Sequence, residues 1–294
     1  MSDGQIIKAL SGFYYVKDNE GEVYQCRGRG IFRKKKETPL VGDWVEFEAP
    51  NKTDGTVTKL KPRKNELVRP PIANVDQALI AVSVKEPDFS TVLLDRFLVL
   101  VEASHIEPVI LLTKMDLLTD KDKEKLDAAI AAYEAMGYPC LSLSTAWPFD
   151  DEHLSERLAN KVSVIAGQSG VGKSSFLNHL NPDLSIETNA ISDSLGRGKH
   201  TTRHVELIPV LGGYVADTPG FSSLDFQSIE LTTLPELFPD FLALRDQCKF
   251  RGCMHINEPK CAVKEAYQQG EIAPFRYEHY QQFYEEIKQR KPRY

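Results

Sequence analysis

Two kinds of apolar pattern divide the chain. Up to residue 68 apolar and polar positions alternate in short runs at 12–16, 22–26, 41–47 and 55–60. Turn residues such as Asp18, Asn19 and Gly21 separate the runs. Short strands punctuated in this way predict a small barrel or sandwich. From about 75 to 222 the runs become nearly continuous, as in Ala78-Leu79-Ile80-Ala81-Val82 and Val109-Ile110-Leu111-Leu112, and helical periodicity at 94–103 and 121–136 intervenes. Strands apolar on both faces, alternating with helices, predict a parallel sheet covered on both sides. After Leu224 no strand pattern remains, and the rest reads as helical or irregular. The segment Arg69-Pro70-Pro71 reads as a linker, because proline stiffens the backbone and donates nothing to a sheet. The division predicted is therefore 1–68, 69–224 and 225–294.

Composition narrows the class. With 41% hydrophobic and 27% charged residues over 294 positions, the chain is an ordinary globular protein. No apolar run reaches the length of a membrane span, and the start lacks a basic patch followed by an apolar stretch. A cytoplasmic protein with no membrane partner is expected, acting as a monomer. The net charge of −6 is unevenly spread: residues 1–69 carry 14 Lys/Arg against 10 Asp/Glu, and the remainder carries 22 against 32. A basic head on an acidic body points to a polyanionic partner for one domain.

The most specific motif is Gly167-Gln168-Ser169-Gly170-Val171-Gly172-Lys173-Ser174-Ser175, between the apolar run 162–166 and a helix-like stretch. Glycines let backbone N–H groups turn inward around a phosphate at the positive end of a helix. Lys173 would reach the β- and γ-phosphates and Ser174 would ligate Mg²⁺. Two further motifs select the base. Thr113-Lys114-Met115-Asp116 ends an apolar run, and a carboxylate there accepts both N–H donors of a guanine edge, which adenine lacks. Asp217-Thr218-Pro219-Gly220 offers an acid for Mg²⁺ and an N–H for the γ-phosphate. The guanine motif precedes the phosphate loop, which is the order of a circular permutation. Between loop and Asp217 lies the basic, glycine-flanked stretch 196–204, where Thr201 and Thr202 are both candidates to close on Mg²⁺, with Thr202 preferred. Phe221 stands where many GTPases place a water-orienting glutamine. His200 is the candidate catalytic substitute and His204 a weaker one, set against the plainer reading of both as surface residues of a basic loop.

Cys248, Cys253, His255 and Cys261 are four zinc ligands within 14 positions, a closed tetrahedral set for structural Zn²⁺. Arg27, Arg29, Arg33, Lys34, Lys35 and Lys36, interleaved with Phe13, Tyr14, Tyr15, Tyr24, Phe32 and Trp44, suit nucleic-acid contact on an OB-like barrel. The alternative is aromatics in the core beneath a solvated basic loop.

Together these motifs resemble the bacterial small-ribosomal-subunit-dependent GTPase A family, circularly permuted GTPases of ribosome biogenesis. The resemblance spans the whole chain. It implies an N-terminal OB-fold, a permuted P-loop GTPase domain and a zinc-binding helical domain. It implies late maturation of the small (30S) subunit, contact with its 16S rRNA, and subunit-stimulated hydrolysis of GTP to GDP. It also implies a hydrophobic residue at the glutamine position and a switch histidine that maps onto His200. The chain departs from the general GTPase pattern in having Thr113 where asparagine is usual.

Overall fold

In a computed structural model the described residues are 1–68, 70–143, 151–181, 205–219 and 224–290; of Arg33, Asp151, Glu152, Asp217, Thr218 and Pro219 only the backbone is described. The N-terminal strands are β1 (Ser2–Leu10), β2 (Phe13–Asp18), β3 (Val23–Gly28), β4 (Trp44–Glu48) and β5 (Gly55–Leu60), with helix α1 (Gly30–Lys35) between β3 and β4. They form a closed barrel in the order β1-β2-β3-β5-β4, with β3 and β5 parallel. Closure removes free edges and buries Ile6, Val16, Cys26, Val45, Phe47 and Val57 inside. Strand β1 is absent from the runs read in the sequence, because its first half is Gly4 with the polar Ser2, Asp3 and Gln5. The basic stretch expected as a loop is partly helix α1, which turns Phe32 into the core and leaves Lys34 and Lys35 exposed.

The junction to the second domain is folded rather than open. Strands β6 (Glu66–Leu67) and β7 (Ile72–Ala73) pair as a hairpin with the prolines at its tip. Leu67, Ile72 and Val75 are buried against Val41, so apolar burial overrides the proline signal here.

Next come β8 (Gln77–Ser83), α2 (Thr91–Glu102), β9 (Glu107–Thr113), α3 (Asp120–Ala135), β10 (Cys140–Ser142), α4 (Asp151–Leu158), β11 (Val162–Ala166), α5 (Lys173–Leu180), β12 (Leu207–Val210) and β13 (Gly213–Pro219). The six strands order as β10-β9-β8-β11-β13-β12, all parallel except β12. Every residue of β8 and β11 is buried, as the continuous apolar runs require of central strands. Helix α2 starts three residues earlier than its periodicity suggests, because Ser90 caps it and accepts from the Leu93 N–H.

The C-terminal region holds α6 (Pro239–Leu242), α7 (Ala262–Gln269) and α8 (Pro274–Lys288), and no strand among the described residues. Its core is aromatic: Phe226, Phe238, Phe241, Tyr280 and Phe283 pack edge to face. Helix α8 is tied to α2 by buried charge. Arg276 donates to Asp95 at 2.6 Å, both side chains being fully buried. Asp95 also receives the Tyr133 hydroxyl at 3.0 Å and faces His279 Nδ1 at 2.6 Å. No described helix is long and apolar enough to cross a membrane.

Candidate guanine-nucleotide site and metal centre

The phosphate loop joins β11 to α5. Gly167 has φ +138°, and a Cβ there would sit 2.3 Å from the Ala81 carbonyl of β8, so only glycine lets the loop leave the sheet this close to its neighbour. Gly172, at φ +95°, turns the chain into α5 and places Ser174 in the first turn of the helix, buried. The Lys173 ammonium folds back onto the carbonyls of Gly167 at 2.9 Å and Gln168 at 2.6 Å. Burial lowers its pKa. A partly desolvated ammonium held by two loop carbonyls at the start of a helix fits a polyphosphate.

The guanine motif lies on the same edge. Thr113 ends β9, and its buried hydroxyl donates to the Val171 carbonyl of the phosphate loop at 2.6 Å, lying 3.2 Å from the Val82 carbonyl of β8. That hydroxyl therefore joins two strands and the loop. Lys114 follows in the left-handed region at φ 57°, and its ammonium bonds the Glu86 carbonyl. Asp116 sits in the short turn Met115–Leu117, which the Leu143 carbonyl at the end of β10 holds by accepting the Met115 N–H at 3.4 Å. Strand β13 runs parallel to β11, so the backbone of Asp217 lies at the same carboxyl edge. Three motifs far apart in sequence thus converge on the ends of β9, β11 and β13. Gln168, Ser169 and Gly170 are exposed at the rim and Ser175 is half-buried. His200, Thr201, Thr202, His204, Gly220 and Phe221 lie outside the described residues.

In the C-terminal region the ligand atoms of Cys248, Cys253, His255 and Cys261 all lie within 4.8 Å of one another. His255 Nδ1 is 3.2 Å from Cys261 Sγ and 3.7 Å from Cys248 Sγ. None of the five cysteines is in a disulfide. Three soft sulfurs and one imidazole at tetrahedral range could hold a zinc ion. Burial raises the thiol pKa of Cys253 and Cys261 and lowers that of His255, so the pocket without metal favours neutral groups. Sequence reasoning missed the residues that shape this knuckle. Glu258 accepts the N–H groups of Met254, Ile256 and Asn257 at 2.9, 3.0 and 3.1 Å. The Tyr277 hydroxyl donates to the His255 carbonyl at 2.6 Å. An acid between the third and fourth ligands was the available signal.

In the barrel the aromatics divide. Phe32 is core and Tyr24 packs on Phe47, whereas Trp44 is 42% exposed and Phe13 lies beneath the Arg27 guanidinium at 4.8 Å. Arg27, Arg29, Lys34, Lys35 and Lys36 are exposed.

Comparison with known proteins agrees with this arrangement. The family profile described as RsgA GTPase matches residues 60–227, and the RsgA N-terminal domain profile matches 3–57. This chain belongs to the RsgA GTPase family. A relative from Shouchella clausii, named small ribosomal subunit biogenesis GTPase RsgA, is 60% identical over the full length of both chains. One of the same name from Geobacillus sp. strain WCH70 is 59% identical over the same span. The crystal structure of YloQ, described as a circularly permuted GTPase, has a TM-score of 0.87 at 50% identity, covering 100% of this chain and 97% of its own. YjeQ from Thermotoga maritima has a TM-score of 0.88 at 38% identity, covering 99% of each. As a member of the RsgA GTPase family the chain is a GTP hydrolase, with an OB-like barrel ahead of a circularly permuted GTPase domain.

Proposed function

We propose that this GTPase acts in biogenesis of the small ribosomal subunit, binding the particle in its GTP state and leaving after hydrolysis to GDP and phosphate. The observation that carries the reading is the bond from Thr113 to Val171, which fastens the guanine motif to the phosphate loop. The name borne by the relatives supplies the ribosomal context.

Each residue then has a role. Gly167 to Ser175 cradle the phosphates, with Lys173 on the β- and γ-phosphates. Asp116 accepts from the guanine edge, and the stem of Lys114 covers the base. Ser174, Thr202 and Asp217 would hold Mg²⁺, which neutralises charge on the phosphates when bound. Thr201 or Thr202, with the N–H of Gly220, reads the γ-phosphate. His200 orients the attacking water, because Phe221 has no group to do so. The units 1–68, 69–224 and 225–294 divide the work: the barrel meets 16S rRNA through Arg27, Arg29 and its neighbours, the middle unit turns over GTP, and the last is built around Zn²⁺. The protein works as a cytoplasmic monomer.

A site that lacks a water-positioning glutamine turns over slowly alone, and an activator supplying missing groups accelerates such chemistry by up to about 10⁵-fold. GTP turnover measured with and without isolated small subunits tests the reading. A rise in kcat on adding subunits is expected, and an unchanged rate overturns it.

A further inference from the structure

Thr113, the last residue of β9, is held by backbone and side chain alike. It pairs with Ser83 in the ladder to β8, and its carbonyl accepts the Val84 N–H at 3.1 Å. Its side chain is 5% exposed and lies under the turn into α5: a Cβ on Gly172 would sit 3.9 Å from the Thr113 Cβ. The hydroxyl donates to the Val171 carbonyl at 2.6 Å, with the Val82 carbonyl 3.2 Å away. A hydroxyl has one proton to give. Two carbonyl oxygens are in reach of this one, and the nearer holds it. Turning it toward a ligand would strand a buried carbonyl.

Guanine presents two different edges. N1–H and the N2 amino group donate, whereas O6 and N7 accept. With the donor edge on Asp116, the five-membered ring points back toward the phosphates at Lys173, because it carries the ribose at N9. N7 lies on that same ring. Thr113 stands on this side of the base, three residues before Asp116 and beneath the phosphate loop. An asparagine there would have two amide protons, one for the Val171 carbonyl and one for N7. Threonine has none left for N7. The neighbouring cation, the Lys114 ammonium, is bonded to the Glu86 carbonyl.

We propose that Thr113 is a specificity-determining residue that leaves guanine N7 unread: its one proton belongs to the Val171 carbonyl, so the site accepts a base with carbon in place of N7 as readily as guanine itself. This rests on the proposed reading of Asp116 as the acceptor for the guanine donor edge. The missing contact weakens GTP and GDP alike, since both carry the same base, and leaves the choice between them to the phosphate end of the site.

The test uses the full-length protein and its affinities for GDP, 7-deaza-GDP and ADP. In the wild type GDP and 7-deaza-GDP are expected to bind within about twofold of one another, less than one neutral hydrogen bond typically contributes. Thr113→Asn is expected to create a preference for GDP of about three- to tenfold, the scale of one such bond. Thr113→Val is expected to weaken both guanine nucleotides by the same factor, because it loosens the loop and removes no base contact. A larger wild-type loss on 7-deaza-GDP overturns the proposal. So does Thr113→Asn with a ratio still at one, or Thr113→Val that weakens GDP more than 7-deaza-GDP. Should a variant fail to fold, the wild-type ratio decides alone. ADP separates this failure from that of the base reading. Equal affinity for ADP and GDP takes Asp116 away from the base and the proposal with it, whereas N7 discrimination with ADP excluded overturns the proposal and leaves that reading intact.

Discussion

The nucleotide edge and the metal cluster are built in opposite ways. At the edge, the geometry comes from backbone: Gly167 and Gly172 adopt φ angles that other residues rarely take, and the Gly167 and Gln168 carbonyls hold the Lys173 ammonium. The sheet beneath is held by apolar burial in β8 and β11. At the cluster, function comes from four side chains drawn from one short stretch, 248–261, that leads into α7. An edge site is spread over 105 residues of sequence, from Thr113 to Asp217, and needs the whole sheet. The cluster draws on one loop and on α8, whose Tyr277 and Tyr280 hydroxyls donate to the His255 and Met254 carbonyls.

The largest expected effect sharpens that contrast. On the proposed zinc reading, a chelator, or replacing Cys253 with serine, should unfold much of the C-terminal region, since structural zinc contributes on the order of 10–16 kcal/mol to such folds. Circular dichroism should show helix loss while GDP affinity changes less than tenfold. Acid should act in the same direction. The ligating thiols must be deprotonated, so the metal is held at neutral pH and lost as pH falls. A parallel collapse of GDP binding would mean the two sites are one cooperative unit.

A smaller effect is expected from Asp116→Asn. The amide presents a donor where guanine also presents one, and preference for guanine over xanthine nucleotides should drop by about a hundredfold or more. Competition with GDP and XDP reads this directly, and metal content should stay as in wild type. The smallest concerns the stitch itself. Thr113→Val keeps the shape but removes the hydroxyl, leaving the Val171 carbonyl buried without it. A loss of about 1 kcal/mol is expected, with a few degrees in Tm and a few-fold in GDP affinity. No change in either would show that the loop is held by other contacts.

Much of this was legible in the sequence, for reasons that differ by region. The phosphate loop and the cluster are contiguous motifs in which residue type and spacing already encode the chemistry. The parallel sheet was legible because β8 and β9 are apolar on both faces. Strand β1 was not, since its three successive buried residues Gly4, Gln5 and Ile6 break the apolar–polar alternation: Gly4 lies so close to Val16 and Phe47 that a Cβ would collide. Helix α1 was masked by its lysines, and the hairpin at 66–73 by its prolines. The role of Thr113 depends on a residue 58 positions away and leaves no local signal. Asp95 did leave one, as an acid within the apolar stretch 92–101, but its partner Arg276 lies 181 positions away.

That partnership limits how the molecule can move. Separating α8 from α2 would strand a guanidinium and a carboxylate in a dry interior, and breaking such a pair by removing one partner costs about 3–5 kcal/mol. The helical cap therefore does not swing as a free arm. A force on α8 therefore reaches the GTPase scaffold through the same ion pair, and any rearrangement must carry α2 and α8 together.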